Sequence, residues 1–309
     1  MKKTIISIAL LSLTLVSSSC AGKKEEISEE GTVKTDSTQT ATTETTTATG
    51  GELLKDPFKD FPKEAISIAA GGEAFVAPDL ANPGNKGIKA EDLRLIFVNK
   101  KVKEAGAEYS KVTSFGAEVE LPNYLIIPIK PGQTAKKGDI VLAPWHHGSS
   151  MMRAIVIDAK DATKPKVNFI DVDWENPAKG DKGVGYGQEE TQLEPNTFHV
   201  LSAAWESGTT VAVKKGNEWR EFSVVKVSGE KVMIFDAMHK IKVVSKADCK
   251  AIEVKPTCKV GDEVMAPWVG KFVKTKVQKI DTKYGRVYVK DPYSDKPLIV
   301  PFGAVTTSL

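Results

Sequence analysis

Two histidines and two methionines between 146 and 152 are the first side chains whose types and spacing could do chemistry. His146 and His147 precede Met151 and Met152, and imidazole nitrogens with thioether sulfurs would suit a soft metal ion. A zinc site needs three or four ligands at usable spacing, and no motif places the other two histidines beside this group. We therefore predict a solvent-exposed loop here, and no metal or cofactor.

The stretch that follows offers carboxylates and glycines. Asp171, Asp173 and Glu175 could act as paired carboxylates in glycoside hydrolysis, but they flank a predicted strand end and turn, which favours a solvated loop. The glycine-rich run 183–187 could cradle a phosphate, yet no Lys-Ser/Thr pair closes it. The chain has neither a Gly-x-Ser-x-Gly elbow nor a His-Glu-x-x-His motif. We predict that the protein is not an enzyme.

The three cysteines fall into two groups. Cys20 follows two lysines, an apolar run over 4–16 and three serines, which is the order of a signal peptide over 1–19. Cleavage by the ordinary peptidase would leave Cys20 incidental, whereas cleavage directly before it would make Cys20 the site of lipidation, and we favour the second. Cys249 and Cys258 are a disulfide candidate outside the cytoplasm, and two buried thiols are the open alternative.

The N-terminal segment resembles a bacterial lipoprotein signal of the relaxed, spirochaete type, with Ser18 and Ser19 before the modified cysteine and Ser17 where an aliphatic residue is usual. The resemblance implies lipid attachment at Cys20, with palmitate-like chains that hold the protein on its membrane. Ala21 after the cysteine implies sorting to the outer membrane. The predicted location is the bacterial envelope, facing the periplasm or the cell surface.

Residues 20–55 form a predicted tether. Ten threonines occur among the eighteen residues of 32–49, and the segment has no apolar periodicity. Such a tract buries too little apolar surface to offset the entropy lost on ordering, so we predict a disordered, lipidated linker.

The balance of charges and the scarcity of arginine argue against nucleic acid as a partner. The chain has 43 basic and 40 acidic residues, a net charge of +3, and only four of the basic residues are arginine. Lysine does not provide the planar, bidentate contacts that recognise phosphates and base edges. We predict no nucleic acid among the partners.

Four similar phrases divide the rest of the chain, and each opens with a glycine ahead of alternating apolar residues. They begin at Gly72, Gly138, Gly208 and Gly261, and the second and fourth share Gly-Asp-x-Val-x-Ala-Pro-Trp. Short β-branched and aromatic runs follow, separated by Gly, Asp, Asn and Lys. We predict a mainly β fold of tandem small antiparallel barrels. The predicted units are a divergent β-rich unit at 56–137 and barrels at 138–200, 201–255 and 256–309.

From 138 onward the phrases resemble the Tudor branch of the SH3-like barrels. The segments 138–145, 153–156 and 167–171 follow the order of that family's first three strands, and 256–309 repeats the opening. Tudor barrels commonly bind peptides, sometimes through an aromatic cage around a methylated cation. The resemblance implies ligand-binding positions, with Met152 where the family has tyrosine, and the alternative for the two tryptophans is closure of a barrel end. These positions are Trp145, Met152, Phe169, Trp268 and Tyr288.

We therefore expect a membrane-anchored, extracytoplasmic lipoprotein that acts as a non-enzymatic binding or scaffold protein for proteins or envelope polymer. One alternative is a surface adhesin that uses its many lysines to hold host glycans or proteins. Another is a cell-wall-active enzyme within 56–137.

Overall fold

The computed structural model describes residues 56–77, 92–114, 117–145, 150–172 and 190–309. The predicted signal peptide, Cys20 and the tether lie outside the described residues. In the described ranges, no helix has the length and apolarity that crossing a bilayer requires.

Short antiparallel strands dominate the described chain. The first group is β1 (Glu73–Val76), β2 (Val98–Glu104), β3 (Tyr109–Ser114), β4 (Ala117–Pro122) and β5 (Ile126–Pro128). The second is β6 (Ile140–Pro144), β7 (Met151–Asp158), β8 (Lys166–Phe169), β9 (Glu190–Gln192) and β10 (His199–Leu201). The third is β11 (Thr210–Lys215), β12 (Glu218–Ser228), β13 (Lys231–Phe235), β14 (Ile241–Ser245) and β15 (Cys249–Ala251). The fourth is β16 (Glu263–Trp268), β17 (Lys271–Asp281), β18 (Arg286–Lys290) and β19 (Pro297–Pro301). Two short 3-10 helices lie at Asn123–Leu125 and Lys246–Asp248.

These strands form three sheets, which confirms the predicted mainly β fold class. The first sheet has the order β4-β3-β2-β1-β5 and the second β10-β6-β7-β8-β9. The third follows β14-β13-β12-β17-β18-β19, with β11 paired to β12 and β15, and β16 paired to β17. The third and fourth predicted units therefore share one sheet, which β12 and β17 join at the pair Arg220–Lys271. The predicted unit boundaries stay a prediction.

One local arrangement recurs in all four groups: a short strand pairs with a longer strand that carries a β-bulge. The bulges follow equivalent valines in β2, β7, β12 and β17. They are Val102, Val156, Val224 and Val277. A bulge bends its strand and increases the local twist, which lets one long strand contribute to two faces of a small barrel. The first and third phrases, although degenerate in sequence, adopt the same local geometry as the other two.

A glycine with positive φ fixes each bulge. Gly71, Gly138, Gly208 and Gly261 have φ of 81°, 85°, 88° and 96°. Each donates its backbone N–H to the carbonyl of the bulged valine at 2.7–2.9 Å, and the valine N–H returns a bond of 2.9 Å to the carbonyl of the residue after the glycine. In the first phrase the equivalent glycine is Gly71, one residue before the predicted start. Only glycine adopts this φ without steric cost.

The hydrophobic core connects the sheets. One cluster of buried side chains draws on all three, from Phe61 near the start of the described chain to Val305 near its end. Two smaller clusters fill the interiors of the second and third groups, around Phe169 and Phe222. A fourth surrounds Ile252. The repeats are therefore packed against one another through shared apolar surface.

Alanine at two of the bulge glycines separates backbone strain from packing. At Gly138 an added Cβ would meet no atom within 4 Å, whereas at Gly208 it would lie 2.5 Å from Leu142 Cδ1. We expect Gly138→Ala to lower the free energy of unfolding by about 1–2 kcal/mol through φ alone. Gly208→Ala should cost about 1–3 kcal/mol more, because Leu142 is buried and has to move. Urea unfolding measures both, and equal losses would contradict the packing argument.

Candidate functional site

A cleft of about 950 Å³ lies between the second and third sheets. Its walls combine apolar side chains such as Leu142, Phe222 and Ile299 with several charged groups. A concave, mostly apolar surface with a few converging polar groups is the usual form of a ligand site. This cleft is the candidate site.

Two buried arginines fasten the sheets together at the floor of the cleft. Arg153, on β7, donates through Nη1 to the carbonyl oxygen of Phe302 at 3.3 Å. Arg286, on β18, reaches back and donates to the carbonyl oxygens of Phe169, at 3.1 Å, and of Ile170. Arg153 and Arg286 are 6% and 2% exposed. Each sheet thus supplies a guanidinium that satisfies carbonyls of the other.

Asp171 balances the charge of Arg153. Its carboxylate accepts from Arg153 Nη2 at 2.7 Å and Nε at 3.0 Å, and also from the Arg153 backbone N–H at 2.8 Å. Because Arg153 is buried, removing Asp171 would leave its charge without this compensation. Asp171, a predicted carboxylate candidate, therefore holds an arginine in place. Asp173 and Glu175 lie outside the described residues.

Glu221, on β12, is a second carboxylate in the cleft. Burial raises the pKa of Glu221 to about 7; the positive charge of Arg153 opposes that rise, and the negative charge of Asp171 adds to it. Because Arg153 is already paired with Asp171, it compensates the Glu221 charge only in part. Near neutral pH this carboxyl group is therefore close to the midpoint of its titration.

A tight loop forms one wall of the cleft and presents a methionine. Asp236 Oδ1 accepts from the backbone N–H groups of Met238, at 2.9 Å, and Lys240, at 3.0 Å. His239 takes a positive φ of 59° and stacks on Phe235 with 5.6 Å between ring centroids. Burial lowers the pKa of His239, which favours the neutral ring. Met238 is left 60% exposed, with Met151 and Met152 also lining the cleft.

The aromatic positions implied for the first cage do not converge on an open pocket. Phe169 is 0% exposed and belongs to the core of the second group. Trp145 is half-buried and packs against the same cluster. Met152 is half-buried, packs on that cluster and also lines the cleft, so of this trio only Met152 reaches the candidate site.

The two aromatic positions implied for the second cage, Trp268 and Tyr288, also lie away from the cleft. Trp268 packs on Tyr293, with ring centroids 4.4 Å apart. Lys279 Nζ lies 4.8 Å from the ring centroid of Tyr288, so an internal cation already occupies one face of that ring. Neither Trp268 nor Tyr288 lines the cleft.

The predicted disulfide partners are two free, buried thiols in the structure. Cys249 packs in the third-group cluster, and its Sγ donates to the carbonyl oxygen of Ser245 at 3.2 Å, whereas Cys258 packs in the large shared core. Burial raises the pKa of Cys249 to about 11 and also raises that of Cys258.

The histidines of the predicted loop, His146 and His147, lie outside the described residues, as does the glycine-rich run 183–187. Among the described residues, no group of three or more His, Cys, Asp or Glu side chains is arranged to hold a metal ion. His199 instead bonds Glu206 at 2.8 Å and Gln133 at 3.0 Å.

The arginines of the cleft were not identified from the sequence, although the rarity of arginine in this chain could have pointed to them. The chain has only four arginines, and Arg153, Arg220 and Arg286 line the cleft. Where lysine is the default cation, arginine marks positions that need a fixed, multidentate donor. No comparable signal marks Glu221 or Met238, because the burial of Glu221 and the position of Met238 in the cleft depend on how the sheets pack.

Comparisons with known proteins add little. No protein-family model matches the chain, and no curated protein matches it. Among solved structures, the crystal structure of AGDP1 AGD34 from Arabidopsis thaliana is similar at 16% identity, covering 33% of this chain and 80% of that chain, with a TM-score of 0.20. At that TM-score we draw no inference from the likeness.

Replacing Glu221 with Gln should alter the pH dependence of stability. In the folded parent the pKa is about 7 against an ordinary 4.5, so the unfolded chain loses its proton first and this group destabilises the fold as pH rises between those values. At about pH 8 the Glu221→Gln variant should be more stable than the parent by about 3 kcal/mol, and the difference should shrink towards about pH 4.

Urea unfolding across that range measures the difference. The exposed Glu230, changed to Gln, is the matched control and should leave the pH profile as it is. Parallel profiles for the parent and the Glu221 variant would contradict the assignment.

Proposed function

We propose that this chain is a membrane-anchored, extracytoplasmic bacterial lipoprotein that acts as a non-enzymatic binding protein, with the cleft between the second and third sheets as its binding surface. In this proposal the lipid is attached at Cys20, residues 20–55 are the tether, and the repeats belong to the Tudor-like branch of small barrels. The partners are proteins or envelope polymer.

One observation carries the binding role: two buried arginines form hydrogen bonds between the two sheets that enclose the cleft. Arg153 donates hydrogen bonds to Asp171, and Arg286 donates to backbone carbonyls of the other sheet. These contacts fix the walls of the cleft. The apolar walls and the exposed Met238 remain for a partner. Methionine is flexible and polarizable, which suits a surface that has to fit varied side chains.

The binding role is tested by site-specific photo-crosslinking in cells. A photoreactive phenylalanine analogue at Met238 should give discrete adducts with envelope components. The same analogue at Val260 is the matched control, because Val260 is 63% exposed, like Met238 at 60%, but does not line the cleft. Equal adducts from both positions, or none from 238, would count against the cleft.

The anchor is tested by metabolic labelling with a clickable fatty acid. The parent should be labelled and should fractionate with membranes, because two or three acyl chains contribute about 0.8 kcal/mol per buried CH₂ group. Cys20→Ala should lose both properties, whereas Cys249→Ala should keep them. Label on the Cys20→Ala variant would refute the anchor.

A further inference from the structure

Two lysines at one end of the cleft face the same aromatic ring. Lys215 Nζ lies 5.2 Å and Lys242 Nζ 5.7 Å from the ring centroid of Phe222, which is 5% exposed. All three side chains line the cleft. The buried ring therefore forms a floor beneath two ammonium groups from different strands.

The register explains why both lysines reach this point. On β11, Val211 and Val213 face the third-group core, and Lys215 continues that row at the strand end. On β14, Lys242 lies opposite Ile234, two residues before Val244, which packs on the same core. Lys242 thus occupies an inward position where the alternation calls for an apolar residue.

The surrounding charges leave this end of the cleft positive. Arg220, on β12, adds a third cation, and its partner is Glu218 at the rim. The facing acid is Asp236, after β13, whose Oδ1 already accepts two backbone N–H groups. Neither Lys215 nor Lys242 forms an ion pair with a carboxylate in the described part of the chain.

The two ammonium groups repel each other in the free protein. Burial lowers the pKa of Lys215, and the charge and close contact of Lys242, together with the charge of Arg220, lower it further, while Asp236 acts in the opposite direction. Like charges on one partly apolar surface are unfavourable unless an anion lies between them. A bound anion would relieve this repulsion.

We propose that Lys215 and Lys242 over Phe222 form an oxyanion site that takes a carboxylate, sulfate or phosphate group of a ligand lying in the cleft. This inference rests on the proposed function and names the chemistry of the ligand at one end of the same surface. Ammonium groups are compact point charges whose N–H donors can rotate, so they can bind both tetrahedral and planar oxyanions.

Titration of the labelled, full-length protein with acetate, sulfate and inorganic phosphate tests the site. Chloride at matched ionic strength is the reference, and NMR follows the lysine side-chain and Phe222 ring signals. At least one oxyanion should shift the signals of Lys215, Lys242 and Phe222 along a saturable curve, and the three arms separate carboxylate from sulfate and phosphate. Shifts that merely follow ionic strength, as with chloride, would overturn the proposal.

Charge-removing variants with similar side-chain length sharpen the test. Lys215→Met and Lys242→Met should each weaken binding by about tenfold or more, the usual effect of losing a hydrogen bond from a charged donor. Lys214→Met is the matched control, because Lys214 is exposed and its backbone position faces the other side of β11. Equal weakening by the Lys214 change would overturn the proposal.

A second readout does not depend on any ligand. Lys242→Met should raise the pKa of Lys215 towards its ordinary value, because a neighbouring positive charge is removed, and an unchanged pKa would show that the two amines are not paired. If oxyanions fail to bind while crosslinking at 238 persists, the oxyanion site is wrong and the proposed function stands. If oxyanions bind but the crosslink is absent, the proposed function fails instead.

Discussion

The exchange of backbone hydrogen bonds between a glycine and a bulged valine is the constraint on which the rest of this structure depends. Within the described ranges it occurs four times, and each time it holds the start of a short strand against the bend of a longer one. The bend and the added twist let one long strand pair with neighbours on both sides, which produces small, strongly twisted antiparallel sheets from few residues. Because the exchange uses only backbone atoms, the side chains around it are free to diverge, as in the first and third phrases.

The packing between repeats creates the cleft. Shared apolar surface brings the second and third sheets together, and the two buried arginines donate hydrogen bonds to backbone carbonyls across this contact. A buried polar group without a partner costs free energy, so these contacts fix how the sheets meet. The same packing encloses Glu221 and raises its pKa, whereas strand pairing within the third group places two lysines over one ring. The electrostatics of the site therefore follow both from how the repeats pack together and from the register inside one repeat.

Local features of the fold could be predicted from the sequence, and the site could not. Gly-Asp-x-Val-x-Ala-Pro-Trp and the alternating runs predicted antiparallel strands, because alternation and turn residues act over a few positions. The Tudor resemblance implies binding roles for Phe169 and Tyr288, and the structure places Phe169 in a core and Tyr288 beside Lys279, both outside the cleft. Glu221 acquires its raised pKa through burial beside Arg153 and Asp171, which lie far from it in the chain, and no local pattern encodes that contact. Lys242 reaches Phe222 only through the pairing of three strands, which the alternation of β14 alone does not reveal.

Contacts at Asp56, where the described residues begin, hold the chain against the first group and determine where a pulling force would act. Tyr124 donates from Oη to Asp56 at 2.6 Å, Lys63 pairs with Asp56 at 2.9 Å, and Phe61 packs edge-on against the Tyr124 ring with centroids 5.7 Å apart. Any pulling force transmitted through the preceding residues is first borne by this cluster, which belongs to the first group. Tension applied at Asp56 would strain the contacts around Tyr124 before it reached the sheets that enclose the cleft.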